Sequence, residues 1–260
     1  MKWYSKNKIT LRRIYIFFVT LGIDIRKTFY VIKNFSRFIK DLINFKKKGG
    51  KIRNIYPFFD DFNSEDMSFK NQFFHADLLI AQKIYKDNPQ NHIDVGSRVD
   101  GLVSHIASFR NLDIADIRNI NIEPHKNIKT TILNLGENKL SNKEKYFSIS
   151  CVGVIGHVGL GRYGDDVDPQ GHKKAIANLS NISETKGLIY IMVPVGKSGV
   201  EFNAHRVFET NEIIEIFRQN NCELTEFSLV DDFGELHINC EIKDSQNLNF
   251  GGGIFTFTKK

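Results

Sequence analysis

Asn91-His-Ile-Asp-Val-Gly-Ser-Arg-Val-Asp-Gly-Leu102 decides the fold: a short apolar run breaks at a glycine and passes into a helical pattern. Ile93 and Val95 carry a strand, and Gly96 lets the backbone turn where a side chain would clash. Val99, Leu102, Val103, Ile106 and Ala107 then repeat at helical spacing. Strand, tight turn and helix start together make one wall of a nucleotide or cofactor site. In an open α/β sheet, ligands sit beyond the carboxyl ends of the strands, where a glycine turn admits them and a helix N-terminus offers unpaired amides. Asp116 closes the next apolar run, Leu112-Asp-Ile-Ala-Asp-Ile117, about 20 residues on, the place of a ribose-binding acid in this architecture.

Downstream, the pattern predicts strands over Ile128 to Leu135, Tyr146 to Ile155 and Leu188 to Val193, and a helix from Pro169 to Ile182 with Asp168 as its N-cap. Thr210 is expected to cap a helix through Phe217. Leu224 to Val230, Leu236 to Ile242 and Ile254 to Thr258 alternate as strands of an antiparallel finish. Helices alternating with strands, then terminal strands, give a Rossmann-like α/β sheet with an antiparallel edge.

The second informative stretch is Gly156-His-Val-Gly-Leu-Gly-Arg-Tyr-Gly-Asp165, which follows a predicted strand and so shares a rim with Gly96 and Asp116. It concentrates a base, a cation and an acid. His157 can take a proton near neutral pH, Arg162 can hold an anionic or carbonyl-bearing group, and Asp165 can bind a hydroxyl or orient the base. The bland alternative is that His157 fixes loop backbone and Asp165 starts a turn. Four glycines are costly to order, and close approach of backbone to a ligand is one reason to keep them. Asn203, His205 and Arg206 in Phe202-Asn-Ala-His-Arg-Val-Phe208 can reach the same rim, or make buried loop hydrogen bonds. His172, one turn into the predicted helix, reads as solvated.

Upstream, Ile14, Phe17, Phe18, Leu21 and Ile25, then Phe29, Ile32, Phe35, Ile39, Leu42 and Ile43, fall at helical spacing between lysines and arginines. Residues 1–53 hold 15 Lys and Arg against two Asp, a charge of +13, and the remaining 21 basic and 28 acidic residues come to −7. The segment reads as a basic amphipathic extension that lies on an anionic membrane surface or contacts a partner, or packs on the main domain. Its longest uncharged run, Ile14 to Ile23, is about half of the ~20 residues that span a bilayer, and neither a span nor a secretory signal is expected. Lys46-Lys-Lys-Gly-Gly-Lys51 sets a boundary near residue 53, dividing a 1–53 extension from a 54–260 domain. Pro57 and the acids Asp60, Asp61, Glu65 and Asp66 form the linker. A helix from Phe69 to Tyr85, carrying His75 and Asp77, leads into the organising strand.

Composition is that of an ordinary globular chain: 260 residues, 41% hydrophobic, with 3 widely spaced cysteines that suggest neither disulfides nor zinc and fit a reducing cytoplasm. No Lys-Ser/Thr phosphate loop, serine elbow or spaced His/Cys set occurs, which argues against a nucleotide triphosphatase, an α/β-hydrolase and a zinc enzyme. No metal site and no nucleic-acid partner are expected.

His92-Ile-Asp-Val-Gly-Ser-Arg-Val-Asp-Gly101, His157-Val-Gly-Leu-Gly-Arg-Tyr-Gly-Asp165, Asp168-Pro-Gln-Gly-His-Lys-Lys174 and Phe202-Asn-Ala-His-Arg206 together resemble the family called domain of unknown function 268, over roughly residues 69 to 258. That family is similar to class I S-adenosylmethionine-dependent methyltransferases, and its members are often associated with surface-polysaccharide synthesis. The resemblance implies S-adenosylmethionine as cofactor and a glycan or sugar-nucleotide substrate, and the cysteines and basic N-terminal segment lead to an expected place in the cytoplasm or on the inner face of its membrane. Asp94 and Gly96 resemble the first acid and glycine of the cofactor loop, with Ser97 beside them, and Asp116 resembles the ribose acid. Arg98 departs from the pattern, standing where the related enzymes keep a second glycine. The expectation is methyl transfer to a glycan hydroxyl with His157 as general base, Asp165 orienting it, and Arg162 and His205 nearby. A non-catalytic binding protein and a sugar-nucleotide enzyme on the same fold are the alternatives.

Overall fold

The computed structural model describes residues 2–52, 54–55, 57, 59, 70–120, 125–138, 140 and 144–260, with side chains from residue 11 onward. The acids expected in the linker lie outside them. The chain divides into two compact units, Met1–Asp66 and Met67–Lys260.

The first unit carries helices α1 (Lys2–Thr20) and α2 (Ile25–Lys47). Gly22, at φ +83°, turns the chain between them, and Asp24 caps α2 by accepting from the Lys27 amide at 3.0 Å and from the Tyr15 hydroxyl at 3.0 Å. Phe35, Phe38 and Phe59 cluster with ring centroids 5.5 to 6.5 Å apart. Within this unit most of the apolar stripe is uncovered: Phe29 is 69% exposed, Ile32 67% and Phe17 60%. Among the described residues no helix is long and apolar enough to cross a membrane.

The second unit is a mixed α/β fold. Its elements in chain order are α3 (Gln72–Asp87), β1 (His92–Val95), a π-turn (Val99–Val103) running into α4 (Ser104–Ala107), β2 (Leu112–Asp116), β3 (Ile128–Ile132), β4 (Tyr146–Val152), α5 (Gly171–Ile182), β5 (Ser183–Val195), β6 (Gly199–Glu201), β7 (His205–Val207), α6 (Thr210–Gln219), β8 (Cys222–Val230), β9 (Leu236–His237), a 3-10 turn (Ile242–Ser245) and β10 (Gly251–Lys259). Among the described residues the main sheet has the order β3-β2-β1-β4-β5-β10-β8-β9. β3 through β5 are parallel, and β10 runs antiparallel between β5 and β8. The strand order reverses between β1 and β4, the point at which such sheets open a crevice for ligands.

Both faces are covered, which explains the near-continuous apolar runs of the central strands. Ile189, Ile191 and Val193 of β5 pack with α5 and α6 on one face, and Tyr190 and Met192 pack with α3 and α4 on the other. Free Cys151 and Cys222 are buried in the first of these layers.

Several local expectations are corrected. Asp168 and Pro169 do not start α5: Asp168 accepts from the Gln170 amide at 2.8 Å in a preceding turn, and Gln170 holds the cap position without a side-chain bond. Thr210 does not cap α6, because its hydroxyl is drawn to the Ser245 hydroxyl at 2.7 Å. Only Leu236–His237 of the predicted Leu236 to Ile242 strand pairs into the sheet. His172 is buried against Phe208, not solvated, and burial with neighbouring cations pushes its pKa down to about 4.

Candidate functional site

The carboxyl ends of β1, β2 and β4 open into a cavity of about 560 Å³, within the range of cofactor sites. Its floor is a hydrogen-bonded column inside the sheet. Asp94, 1% exposed, accepts from the Ser97 amide at 3.0 Å, the Ser97 hydroxyl at 2.6 Å and the Ser150 hydroxyl at 2.5 Å. Ser97 Oγ in turn accepts from the Val152 amide at 3.0 Å, tying the loop after β1 to the end of β4. His92 lies beneath, with Nε2 3.1 Å from Ser150 Oγ and Nδ1 2.7 Å from Ser148 Oγ. Ser150 spends its proton on Asp94, so His92 Nε2–H donates to it and Nδ1 accepts from Ser148. That ring is neutral: burial, then Arg110, pushes its pKa to about 3. Burial also lifts Asp94 to about 6 against the pull of the serine bonds.

Of the two residues beside Gly96 that the sequence placed as ligand contacts, Ser97 lines the cavity and Asp94 does not. Asp94 is sealed below the cavity, and its oxygens shape the loop that carries Gly96. Gly96 itself lines the cavity at φ +72°, with its amide bonded to the Ala115 carbonyl at 2.8 Å. A Cβ there would press on Val154 Cγ2 at 3.0 Å. Gly153, also at φ +72°, lines the wall opposite, and a Cβ on it would collide with Phe73.

Asp116 reaches the cavity from the end of β2, as expected, but not alone. Arg118 folds back on it: Nε donates to Oδ1 at 2.8 Å, Nη2 to Oδ2 at 3.0 Å, and the Arg118 amide to Oδ1 at 2.8 Å. Burial raises the Asp116 pKa, and the Arg118 bonds outweigh it, leaving the carboxyl below its ordinary value. Arg98 lines the cavity and pairs bidentately with Asp100 at 3.1 and 2.8 Å.

The loop after β4 supplies the far wall. His157 Nδ1 lies 2.7 Å from the Ala204 carbonyl and so carries the proton, which leaves Nε2 as the basic nitrogen, with no hydrogen-bond partner among the described residues. Arg162 Nη1 donates to the same carbonyl at 2.7 Å. Burial, then the Arg162 charge, holds His157 below its ordinary pKa, so it stands largely unprotonated at neutral pH. His205 lines the same wall, its ring 4.9 Å from Phe250. Tyr163 lies between two guanidinium groups, Arg118 at 5.2 Å and Arg162 at 5.3 Å from its ring centroid.

Asp165 does not hydrogen-bond His157. Its carboxylate accepts from the amides of Gly159 at 2.6 Å, Tyr163 at 3.2 Å and Gly161 at 3.4 Å, which folds the loop. The glycines also have a packing reason. Gly159, Gly161 and Gly164 have φ between +69° and +83°, and a Cβ on Gly159 would collide with the Asp168 carbonyl. Of the four, only Gly156 lines the cavity. Arg206, 4% exposed, donates to the carbonyls of Val158 at 2.5 Å and Asp168 at 3.1 Å and so anchors the loop from beneath. Sequence reasoning missed Arg118, Tyr163, Gln72 and Phe73 as lining residues. Arg118 stood two positions from Asp116, the spacing that lets a side chain return to the same carboxylate.

The family described as "Caenorhabditis protein of unknown function, DUF268" matches residues 110–234, in agreement with the resemblance read from the motifs. No curated protein matches the chain. Among solved structures, magnesium protoporphyrin IX methyltransferase from Synechocystis PCC 6803 is similar at 9% identity and a TM-score of 0.51, covering 90% of this chain and 100% of that one. A S-adenosylmethionine-dependent methyltransferase from Clostridium acetobutylicum is similar at 10% identity and a TM-score of 0.50, covering 73% and 92%. The [4+2]-cyclase SpnF is similar at 10% identity and a TM-score of 0.53, covering 71% and 80%. These likenesses show that the second unit has a methyltransferase-type fold.

Proposed function

We propose that this chain, a methyltransferase-type fold with the DUF268 signature, binds S-adenosylmethionine and methylates a hydroxyl of a glycan or glycan precursor. The observation that carries the reading is the cavity at the reversal of strand order, where Gly96 and Gly153 bare backbone, Asp116 offers a carboxylate and His157 presents an unprotonated Nε2. Of these residues, Asp116 would hold the ribose once Arg118 yields its carboxylate, and the Gly96 loop would take the methionine end. When bound, S-adenosylmethionine supplies an electrophilic methyl group on a sulfonium.

The chain's own part is then binding and proton handling. His157 Nε2 would take the acceptor hydroxyl's proton as that oxygen bonds the methyl carbon and the methyl's C–S pair returns to sulfur, leaving a neutral thioether, and the Ala204 carbonyl holds the ring in the required tautomer. Burial, and after it the charge of Arg162 beside the ring, keep the base unprotonated, and the remaining guanidinium donors of Arg162 suit an anionic acceptor such as a sugar nucleotide. Asp165 acts by fixing the loop. Surface-polysaccharide synthesis as the setting rests on the family resemblance alone. A binding protein without catalysis is the second reading, and the Arg118 clamp on Asp116 favours it.

We also assign the first unit to an anionic membrane surface. Its +13 charge over residues 1–53 and the exposed stripe through Phe17, Phe29 and Ile32 support that reading. Calorimetric titration with S-adenosylmethionine, S-adenosylhomocysteine and common nucleotide sugars tests the cofactor and the acceptor class. Absence of heat with both adenosyl ligands at millimolar concentration removes the methyltransferase reading.

A further inference from the structure

Asp116 has fewer free acceptor positions than a ribose acid needs. A carboxylate offers about four in-plane acceptor positions, two on each oxygen. Oδ1 takes both the Arg118 amide and the Arg118 Nε, each at 2.8 Å, and is full. Oδ2 takes Arg118 Nη2 at 3.0 Å and keeps one position. A ribose presents two adjacent hydroxyls, and holding both requires two acceptor positions side by side.

The arginine is also secured from its other face. Its guanidinium carbon stands 5.2 Å from the centroid of Tyr163, which belongs to the loop after β4, so Arg118 bridges two rims of one cavity. Arg162 flanks the same ring at 5.3 Å, and His157 meets it edge-on at 5.8 Å. The bridge can open without disturbing the core. The Arg118 side chain is 58% exposed, and released it keeps the aromatic face and gains water, whereas Asp116, at 6%, has no other partner among the described residues.

We propose that Arg118 is the specificity-determining residue of the ribose position: a clamp that hides the diol-binding face of Asp116 and must be displaced before a nucleoside diol can be held there. The proposal rests on the cofactor reading above and predicts a gain of binding on truncation. Loss would be expected if Arg118 were a ligand contact.

The test is calorimetric titration of full-length wild type, Arg118→Ala and Arg118→Lys with S-adenosylhomocysteine and with its 2′-deoxy analogue, after melting curves show each variant folded. Wild type should bind the two probes within about twofold of each other, since one acceptor position serves one hydroxyl. Arg118→Ala should bind S-adenosylhomocysteine about tenfold more tightly and discriminate against the deoxy analogue by a similar factor, the scale of one charge-assisted hydrogen bond. Arg118→Lys, which keeps the charge and loses the fork, should fall between them. Weaker or unchanged binding in Arg118→Ala overturns the clamp while leaving the cofactor reading intact, as does a wild type that already discriminates. If neither wild type nor Arg118→Ala takes up either probe at millimolar concentration, the cofactor reading fails and the clamp with it.

Discussion

Replacing Asp77 by Asn should stabilise the second unit at pH 8 and leave it nearly unchanged at pH 5. Asp77 lies on α3, 4% exposed, facing the loop after β1: a Cβ on Gly101 would collide with Oδ2, and the Leu102 amide donates to the carboxylate. Its Oδ1 is buried with no hydrogen-bond partner among the described residues. Burial, reinforced by Asp94 and Asp100 and opposed by Arg98, pushes it from 3.8 up to about 7. A carboxyl displaced upward binds more protons folded than unfolded between those two values. Its contribution to stability is therefore full below pH 3.8 and is lost as pH rises through about 7. Ionising so displaced a carboxyl in the folded protein costs about 4 kcal/mol of stability by pH 8. Asn keeps the shape and an acceptor for Leu102 without the charge, at a cost of about 1–3 kcal/mol for an amide that finds no partner. The net gain of about 2 kcal/mol raises the melting temperature of a domain of this size by about 4–8 °C. Melting curves of both proteins at pH 5 and pH 8 decide it. Equal shifts at the two pH values, or a variant less stable at pH 8 than at pH 5 relative to wild type, would refute the reasoning.

Further outcomes follow from the site. His157→Ala should lower the methyl-transfer rate by about 10²–10⁴-fold with adenosyl-ligand affinity and melting temperature nearly unchanged; unfolding of the variant would make the histidine a structural residue. The acidic limb of the rate profile should lie below pH 6.5, the ordinary histidine value, and Arg162→Gln should move it upward by removing the charge that depresses His157. Ser97→Ala strands the Val152 amide and removes one donor from Asp94, a loss of about 1–3 kcal/mol readable in denaturant unfolding. Full-length protein should sediment with phosphatidylglycerol vesicles and release in high salt, at about 1 kcal/mol per well-placed Lys or Arg, and Phe29→Glu with Ile32→Glu should weaken that attachment; equal sedimentation of variant and wild type would count against it.

The parallel strands β1 and β4 were legible because they are buried on both faces and followed by glycine, so Ile93, Val95 and Gly96 announced themselves by type and spacing. Asp116 was legible for the same reason: the last residue of a parallel strand points its side chain at the rim. The β6–β7 hairpin was not, since Gly199–Glu201 and His205–Val207 are three residues each and carry no period. Nor were the partners of the site residues. Asp94 takes two bonds from Ser97 and one from Ser150 of β4, and Asp165 takes three from amides of the loop after β4, although Ser97 and Asp165 also line the cavity. Spacing along the chain cannot show which acceptor is already occupied. His172 and Thr210 were misplaced because tertiary neighbours, Phe208 and Ser245, outweighed their local preference.

The column beneath the cavity also dates the site within folding. Every bond from Asp94, Ser97 and His92 to β4 spans 55 to 58 residues of chain. Contacts of that reach close slowly, after the loop entropy between them has been lost. A nascent chain that has emerged only through β3 therefore holds the glycine turn in sequence but not in shape, with the Asp94 carboxylate still in water. Met192, Pro194, His205 and Phe250 line the same cavity from beyond β4, so adenosyl ligands should bind the folded second unit and leave chains truncated before Ser148 untouched.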